Sequence, residues 1–160
     1  MVDVMSAEER SLLMSRIRGK NTSPEMTVRR LLWGAGFRYR LHAKGLPGKP
    51  DIVFARRRAA IFVHGCFWHR HDGCTLFRLP KTRTSFWDDK LQRNRERDAS
   101  AIAALVAGGW RVAVVWECGV RLDATGVGQH LGRWLEHGTG SIELAARTGS
   151  VQCSLLVTQT

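Results

Sequence analysis

The chain holds no apolar run long enough to cross a bilayer, which argues against a membrane-spanning segment. Its first ten residues carry acids where a secretory leader would carry basic and then apolar residues, so no targeting segment is expected. No internal repeat and no linker-like stretch divides the 160 residues, which suits one domain with a real core. Cysteine is sparse, at Cys66, Cys74, Cys118 and Cys153. In the cytoplasmic setting this implies, thiols stay reduced, and Cys66 and Cys74 beside histidines read as metal ligands rather than disulfide partners. Acids are short too: 14 Asp and Glu against 25 Lys and Arg leave a formal net charge of +11. That balance favours polyanions through phosphate contacts and counterion release.

What is present is concentrated. Residues 62–74 carry His64, His69 and His71, Cys66 and Cys74, and the pair Phe67-Trp68. Imidazole and thiolate are transition-metal ligands, imidazole is the usual acid/base at neutral pH, and adjacent aromatics can stack on bases.

The flanking pattern predicts an α/β domain. Ser6-Ala7-Glu8-Glu9 has the form of a capping box and should start a helix through about Arg18. Ser23-Pro24-Glu25 reads as N-cap, Pro at N1 and a first-turn acid, opening a helix with Val28, Leu31 and Leu32 inward and Arg29 and Arg30 outward. Phe37, Tyr39 and Leu41 alternate like a half-buried strand. Residues 51–54 and 59–63 read as a hairpin, 86–106 as a helix, and 110–116 as a central strand with Glu117 and Cys118 at its end. Val127, Leu131, Trp134 and Leu135 fit a last amphipathic helix closed by Gly138, and residues 139–160 read as a loosely held tail. The expected architecture is a single domain with a mixed central sheet flanked by helices.

Two ion sites are written into this frame. Cys66, His71 and Cys74 have zinc-ligand character, Cys118 past a strand end could complete four N/S ligands, and His69 rivals His71. The plainer alternative is buried free cysteines and a surface histidine. Asp51 opens the first hairpin strand and His64 ends the second, so a carboxylate and a backbone carbonyl from residues 61–64 could share a hard cation. Phe67 and Trp68 could wedge between base pairs, whereas Phe86 reads as a core residue. Arg16, Arg18, Lys20, Arg29 and Arg30 make the amino-terminal fifth basic, and Arg93, Arg95 and Arg97 form a second basic run around Asn94. Arg16 and Asn94 are expected on the DNA side.

These residues together resemble the very short patch repair (Vsr) endonucleases. The matching text includes Met14-Ser15-Arg16-Ile17, Thr22-Ser23-Pro24-Glu25, Leu46-Pro47-Gly48-Lys49-Pro50-Asp51, His64-Gly65-Cys66-Phe67-Trp68-His69, Phe86-Trp87 and Trp116-Glu117-Cys118. The resemblance implies a restriction-endonuclease-like domain over residues 1–138 with a DNA-contacting helix within 1–22. It implies a strand-specific nick on the 5′ side of the thymine in a T:G mismatch left by 5-methylcytosine deamination. It further implies Mg²⁺ on Asp51 and the Val63 carbonyl, His69 as catalytic acid/base, and Glu25 and His64 in support. Structural zinc falls to Cys66, His71, Cys74 and Cys118, and the DNA wedge to Phe67, Trp68 and Trp87, with Met14 meeting the other groove. Partners would be mismatched double-stranded DNA and mismatch-repair proteins, with a monomer acting at the nucleoid. Two rival functions stay open: a zinc-stabilised DNA-binding protein without catalysis, and a nickase with a non-mismatch or methylation-linked substrate. One departure is visible, because position 63 is more often Thr in the family and Val keeps only the carbonyl.

Overall fold

The computed structural model describes residues 6–16 and 19–157. The side chains of Met14 and Arg16, both expected at DNA, lie outside the described part, as do residues 17 and 18, where the first helix was expected to end. Helix α1 (Ala7–Arg16) opens on the capping box: Ser6 Oγ accepts from the Glu9 N–H, and Glu9 Oε2 accepts from the Ser6 N–H at 2.8 Å. Helix α2 (Ser23–Gly34) begins one residue earlier than its sequence suggests, because Thr22 rather than Ser23 caps the Glu25 N–H. Val28 and Leu32 are fully buried as expected. Arg29 is not outward-facing: it is 7% exposed and ion-paired to Glu25 one turn back, so a charge partner, not water, meets its guanidinium.

Among the described residues six strands form one mixed sheet in sequential order. They are β1 (Arg40–Leu41), β2 (Ile52–Phe54), β3 (Ala59–His64), β4 (Arg111–Trp116), β5 (Ile142–Arg147) and β6 (Ser150–Leu155). β1, β2 and β3 are antiparallel, β3 and β4 are parallel, β4 and β5 are parallel, and β6 returns antiparallel to β5. Helix α3 (Thr84–Ala107) crosses between β3 and β4 and covers one face, where Ile102 and Leu105 meet Phe62, Val112 and Val114. Helices α2 and α5 (Ala124–His137) cover the other, where Val28, Leu32, Val127, Leu131 and Leu135 meet Ile61 and Val115. Buried on both faces, β3 and β4 read as continuous apolar runs, and β3 is buried at every position. The expected single α/β domain with a mixed central sheet is what the structure has.

Three elements differ from expectation. The alternation from Phe37 to Leu41 yields only a two-residue strand, since Phe37 and Tyr39 pack against Phe54 as an aromatic cluster instead of extending the ladder. A short helix, α4 (Glu117–Leu122), follows β4 directly. The tail was expected to be loosely held from residue 139, but residues 142–155 are a hairpin that completes the sheet. Thr148 and Gly149 both take positive φ, the two-residue turn that matches strand twist, and Ile142 and Leu144 are buried against the core. Among the described residues no helix is long and apolar enough to cross a membrane.

Candidate active site and metal centre

The carboxyl ends of β3 and β4 lie side by side, with His64 opposite Trp116, and both ion sites grow from this edge. Asp51 reaches it from the start of β2. The loop before it runs so close beneath α3 that a Cβ on Gly48 (φ +69°) would sit 2.6 Å from Ala101 Cβ. Asp51 Oδ2 accepts the Val63 N–H at 2.8 Å, and the Asp51 N–H donates to the Ile61 carbonyl. Burial is the largest influence on its carboxyl and pushes its pKa up to about 6, against the pull of the Val63 hydrogen bond. No ion pair to Asp51 exists among the described residues, so a desolvated carboxylate stands without a counter-cation. That environment, beside a strand-end backbone, fits a hard divalent ion.

Glu25 and His42 share the position, their ligand atoms lying within 4.8 Å of each other and of Asp51. Glu25 is buried; Oε2 accepts the Asn21 N–H at 2.8 Å, and Oε1 accepts from Arg29. A cleft of about 410 Å³ opens over Glu25, Asp51, Val63, Trp68, His69 and Glu117.

His69 stands at the wall of this cleft. Its Nδ1–H donates to Asp98 Oδ2 at 2.6 Å, which leaves the Nε2 lone pair for proton transfer. His64 stacks on it, ring centroids 3.8 Å apart and 2° from parallel. Full burial, followed by the charges of His69 and His71, holds His64 well below the ordinary histidine range, so it remains neutral. A second cavity of about 580 Å³ lies beyond His69, bounded by α3 and the C-terminal hairpin through Asp98, Ala103, Trp116, Glu143 and Leu156.

The second centre gathers Cys66, His71, Cys74 and Cys118, whose ligand atoms all lie within 4.8 Å of one another. His71 Nδ1 is 3.4 Å from Cys66 Sγ and 3.6 Å from Cys118 Sγ. Tetrahedral zinc with bonds of about 2.0–2.3 Å sets its ligand atoms about 3.5–3.8 Å apart, so the spacing fits. Backbone N–H groups of Cys118, Leu76 and Ala146 point at Cys66, Cys74 and Cys118 sulfurs respectively, each at 3.4 Å, as thiolates require. The hydrogen bond between Cys66 and Cys118 holds Cys118 well below the usual thiol range and pushes Cys66 up, one proton being shared where a metal would replace it. His71 stacks on Trp116, centroids 4.1 Å apart. These four residues could hold zinc with no ligand position left open.

Comparison with known proteins now bears on what the arrangement is. The family model described as DNA mismatch endonuclease Vsr matches residues 2–75. The DNA mismatch endonuclease Vsr of Escherichia coli is 46% identical over 121 residues, 76% of this chain and 77% of that protein. The chain belongs to the Vsr DNA mismatch endonuclease family. The type II nicking enzyme V.XorIIP of Xanthomonas oryzae pv. oryzae is 57% identical over 118 residues, 74% of this chain and 86% of that protein. A solved homing endonuclease, the I-Bth0305I catalytic domain, is similar at 19% identity with a TM-score of 0.47, covering 74% of this chain and all of that one. Family membership makes this chain a DNA endonuclease.

Within this Vsr-family frame the structure brings Glu25, Asp51, Val63 and His69 to one cleft, with His64 stacked behind His69, and gathers Cys66, His71 and Cys74 of the adjoining loop with Cys118 of α4 into a separate cluster. The rivalry between His69 and His71 resolves geometrically: His71 turns to the sulfurs and His69 to Asp98 and the cleft. Phe67, Trp68 and Trp87 form one half-buried cluster, with centroid distances of 5.1–6.1 Å, and Lys90 lies over both tryptophans. Phe86, expected in the core, is exposed and joins that cluster at 5.6 Å from Trp87, with Arg83 and Lys90 over its ring in place of core contacts. Asn94 Nδ2 donates to the Trp68 carbonyl at 3.0 Å, so it braces the aromatic cluster from behind.

Four residues of this region escaped the sequence reading. Asp98 lay inside a basic run and passed for a charge interruption. Arg29 passed for a solvated face, His42 for an outward strand position, and Glu117, which accepts the Cys66 N–H, for a strand-end polar residue. For Asp98 a signal existed: it lies four residues after Asn94 on the same helix face, and that face looks at the histidine loop.

Proposed function

We propose that this chain is a strand-specific nicking endonuclease that cuts on the 5′ side of the thymine in a T:G mismatch left by 5-methylcytosine deamination. The observation that carries it is one cleft: Asp51, Glu25 and His69 face the same opening that Trp68 borders, so hydrolytic groups and a base-stacking wedge share a single approach. Double-stranded DNA is the partner, engaged by a monomer, and the +11 charge supplies non-specific attraction.

Asp51 and the Val63 carbonyl would hold Mg²⁺, which supplies charge for the phosphate and the leaving oxygen. His69 Nε2 takes the proton from the attacking water, and Asp98 steadies the imidazolium that results. His64, neutral and stacked, keeps the ring in plane. Glu25, fixed by Arg29 and Asn21, orients water in the cleft. Phe67, Trp68 and Trp87 open the duplex beside the mismatch, an unstacking that costs a few kcal/mol per step. Cys66, His71, Cys74 and Cys118 would hold zinc that stiffens the loop and takes no part in hydrolysis.

A second reading has support of its own. Identity is 57% to a type II nicking enzyme and 46% to the protein named as mismatch endonuclease, which favours a nickase with a non-mismatch or methylation-linked DNA substrate. Nicking of T:G duplexes in several contexts, beside homoduplex and methylated DNA, with Mg²⁺ and with chelator, tests both. The mismatch reading expects a nick only in T:G duplex and only with Mg²⁺. Equal cutting of homoduplex would replace it with the second reading, and no cutting of any duplex would leave a DNA-binding protein without catalysis.

A further inference from the structure

In the run Trp116-Glu117-Cys118 the outer residues already have tasks: Trp116 carries the stacked His71, and Cys118 joins the zinc-type cluster. Glu117 belongs to neither, yet its side chain is only 19% exposed and lines the cleft with Asp51, Trp68 and His69. An acid at that place repels the phosphates that the +11 chain otherwise attracts. Its position there points to a contact of its own.

That contact is with the turn after β3. His64 and Trp116 are register partners in parallel strands, so Gly65 and Glu117 leave the sheet side by side. From Gly65 the chain winds into a helical turn, closed by the His69 N–H on the Gly65 carbonyl at 3.1 Å and by the His71 N–H on the Cys66 carbonyl at 2.9 Å. The first N–H groups of such a turn have no carbonyl to meet them. Glu117 Oε2 accepts the one from Cys66 at 3.3 Å, and so caps the turn from the neighbouring strand end. Its other oxygen is ion-paired to Arg121 one turn on, which fixes the carboxylate and offsets its charge. A Cβ on Gly65 would lie 3.5 Å from Trp68 Cδ1 and 3.7 Å from Glu117 Oε2, so carboxylate, turn and indole pack as neighbours. The capped turn carries Phe67, Trp68 and His69 on consecutive residues.

We infer that Glu117 is a positioning residue for nicking: through the Cys66 N–H it sets the turn that presents both the wedge and His69 to the cleft. It acts through that turn and does not touch the reacting atoms. The inference rests on the proposed reading of the cleft as a T:G nicking site. One hydrogen bond among many on this edge contributes modestly to stability. A tilt of the turn, however, displaces the wedge and the proton acceptor together, and catalytic rate falls steeply with such displacement.

Single-turnover nicking and duplex affinity test this on the full chain loaded with zinc, as wild type, Glu117→Ala and Glu117→Gln. Amide hydrogen exchange at Cys66 reads the cap without reference to activity. Glu117→Ala is expected to keep its zinc, to exchange the Cys66 amide faster, and to lose about 10²-fold in nicking rate. Its affinity for homoduplex should stay within about twofold, because phosphate contacts carry that binding, while its preference for T:G duplex shrinks with the misplaced wedge. Glu117→Gln keeps an oxygen that accepts the N–H and should recover the rate to within about threefold of wild type. An alanine variant that nicks at the wild-type rate, or that exchanges the Cys66 amide no faster, overturns the inference. A glutamine variant as slow as the alanine variant also overturns it, by making the charge rather than the cap the requirement. Loss of zinc from Glu117→Ala does so too, by reducing Glu117 to a support of the metal cluster. All of these leave the proposed reading standing, whereas a wild type that nicks no duplex removes the reading and the inference with it. Should Glu117→Ala fail to fold, Glu117→Met, which fills the space without an oxygen, is measured in its place.

Discussion

His64 and His69 stack face to face with their ring centroids 3.8 Å apart, and only His69 has a carboxylate partner. Two imidazolium ions could not be held in that contact, so at most one of the two rings is charged. Burial keeps His64 neutral, so the ring that borders the cleft is the one available for proton transfer.

Asp98→Asn therefore should impair catalysis more than binding. The amide keeps the shape but can donate to Nδ1, which favours the wrong tautomer of His69. A fall of about 10²-fold in kcat is expected with DNA affinity within twofold. Single-turnover nicking together with a binding isotherm checks it, and an unchanged rate would remove Asp98 from the proton path.

Asp51→Asn is expected to abolish nicking and, without Mg²⁺, to stabilise the protein. The folded carboxyl titrates near 6 against an ordinary value of 3.8, so the native chain holds its proton to higher pH than the unfolded chain does. The associated stability is complete below about pH 4 and is lost as pH rises through about 6. At pH 7.5 in chelator the asparagine variant should gain on the order of 2 kcal/mol. Divalent-ion affinity of the wild type should strengthen over the same pH window. Melting curves in chelator and in Mg²⁺ measure both, and a less stable variant in chelator would contradict the desolvation argument.

Removing zinc should lower stability before it touches chemistry. Cys118→Ala is expected to lose bound zinc and about 10 °C or more in Tm, because structural zinc binding is folding free energy. Metal analysis alongside calorimetry decides. Normal melting with no zinc would mean the cluster is only four buried side chains.

Deleting residues 139–160 should not be neutral. Glu143 on β5 accepts the indole N–H of Trp116, and Trp116 carries the stacked His71 on its face. The truncated chain is expected to lose zinc and to unfold at lower temperature than the full chain. A soluble, zinc-replete truncation would show that the hairpin only decorates the sheet.

Much of this was legible in the residues. The buried strands β3 and β4 announce themselves as apolar runs, α5 by its 3.6-residue period, and the histidine-cysteine loop by a composition no core needs. The C-terminal hairpin was not legible. Ile-Glu-Leu-Ala-Ala-Arg has the residue types of a helix, and β6 is a polar edge strand with almost no burial to betray it. Its register is set by pairing with β4, a contact that no local pattern encodes. Asp98 was missed for the related reason that a charge in a charged stretch looks solvated until its partner, His69, distant in sequence, is placed against it, whereas Arg29 pairs with Glu25 one turn back and was missed because the burial of that pair depends on the elements packed over it.

The zinc-type cluster also bears on how the chain folds. Cys66, His71 and Cys74 are local, whereas Cys118 lies 52 residues from Cys66. An ion joining them closes that loop and ties the ends of two parallel strands that must otherwise find each other by a long search. By chain-entropy arithmetic, a cross-link of that span is worth about 4 kcal/mol against the unfolded ensemble. The cluster thus offers a cross-link between the strand ends that, unlike a disulfide, would persist under reducing conditions.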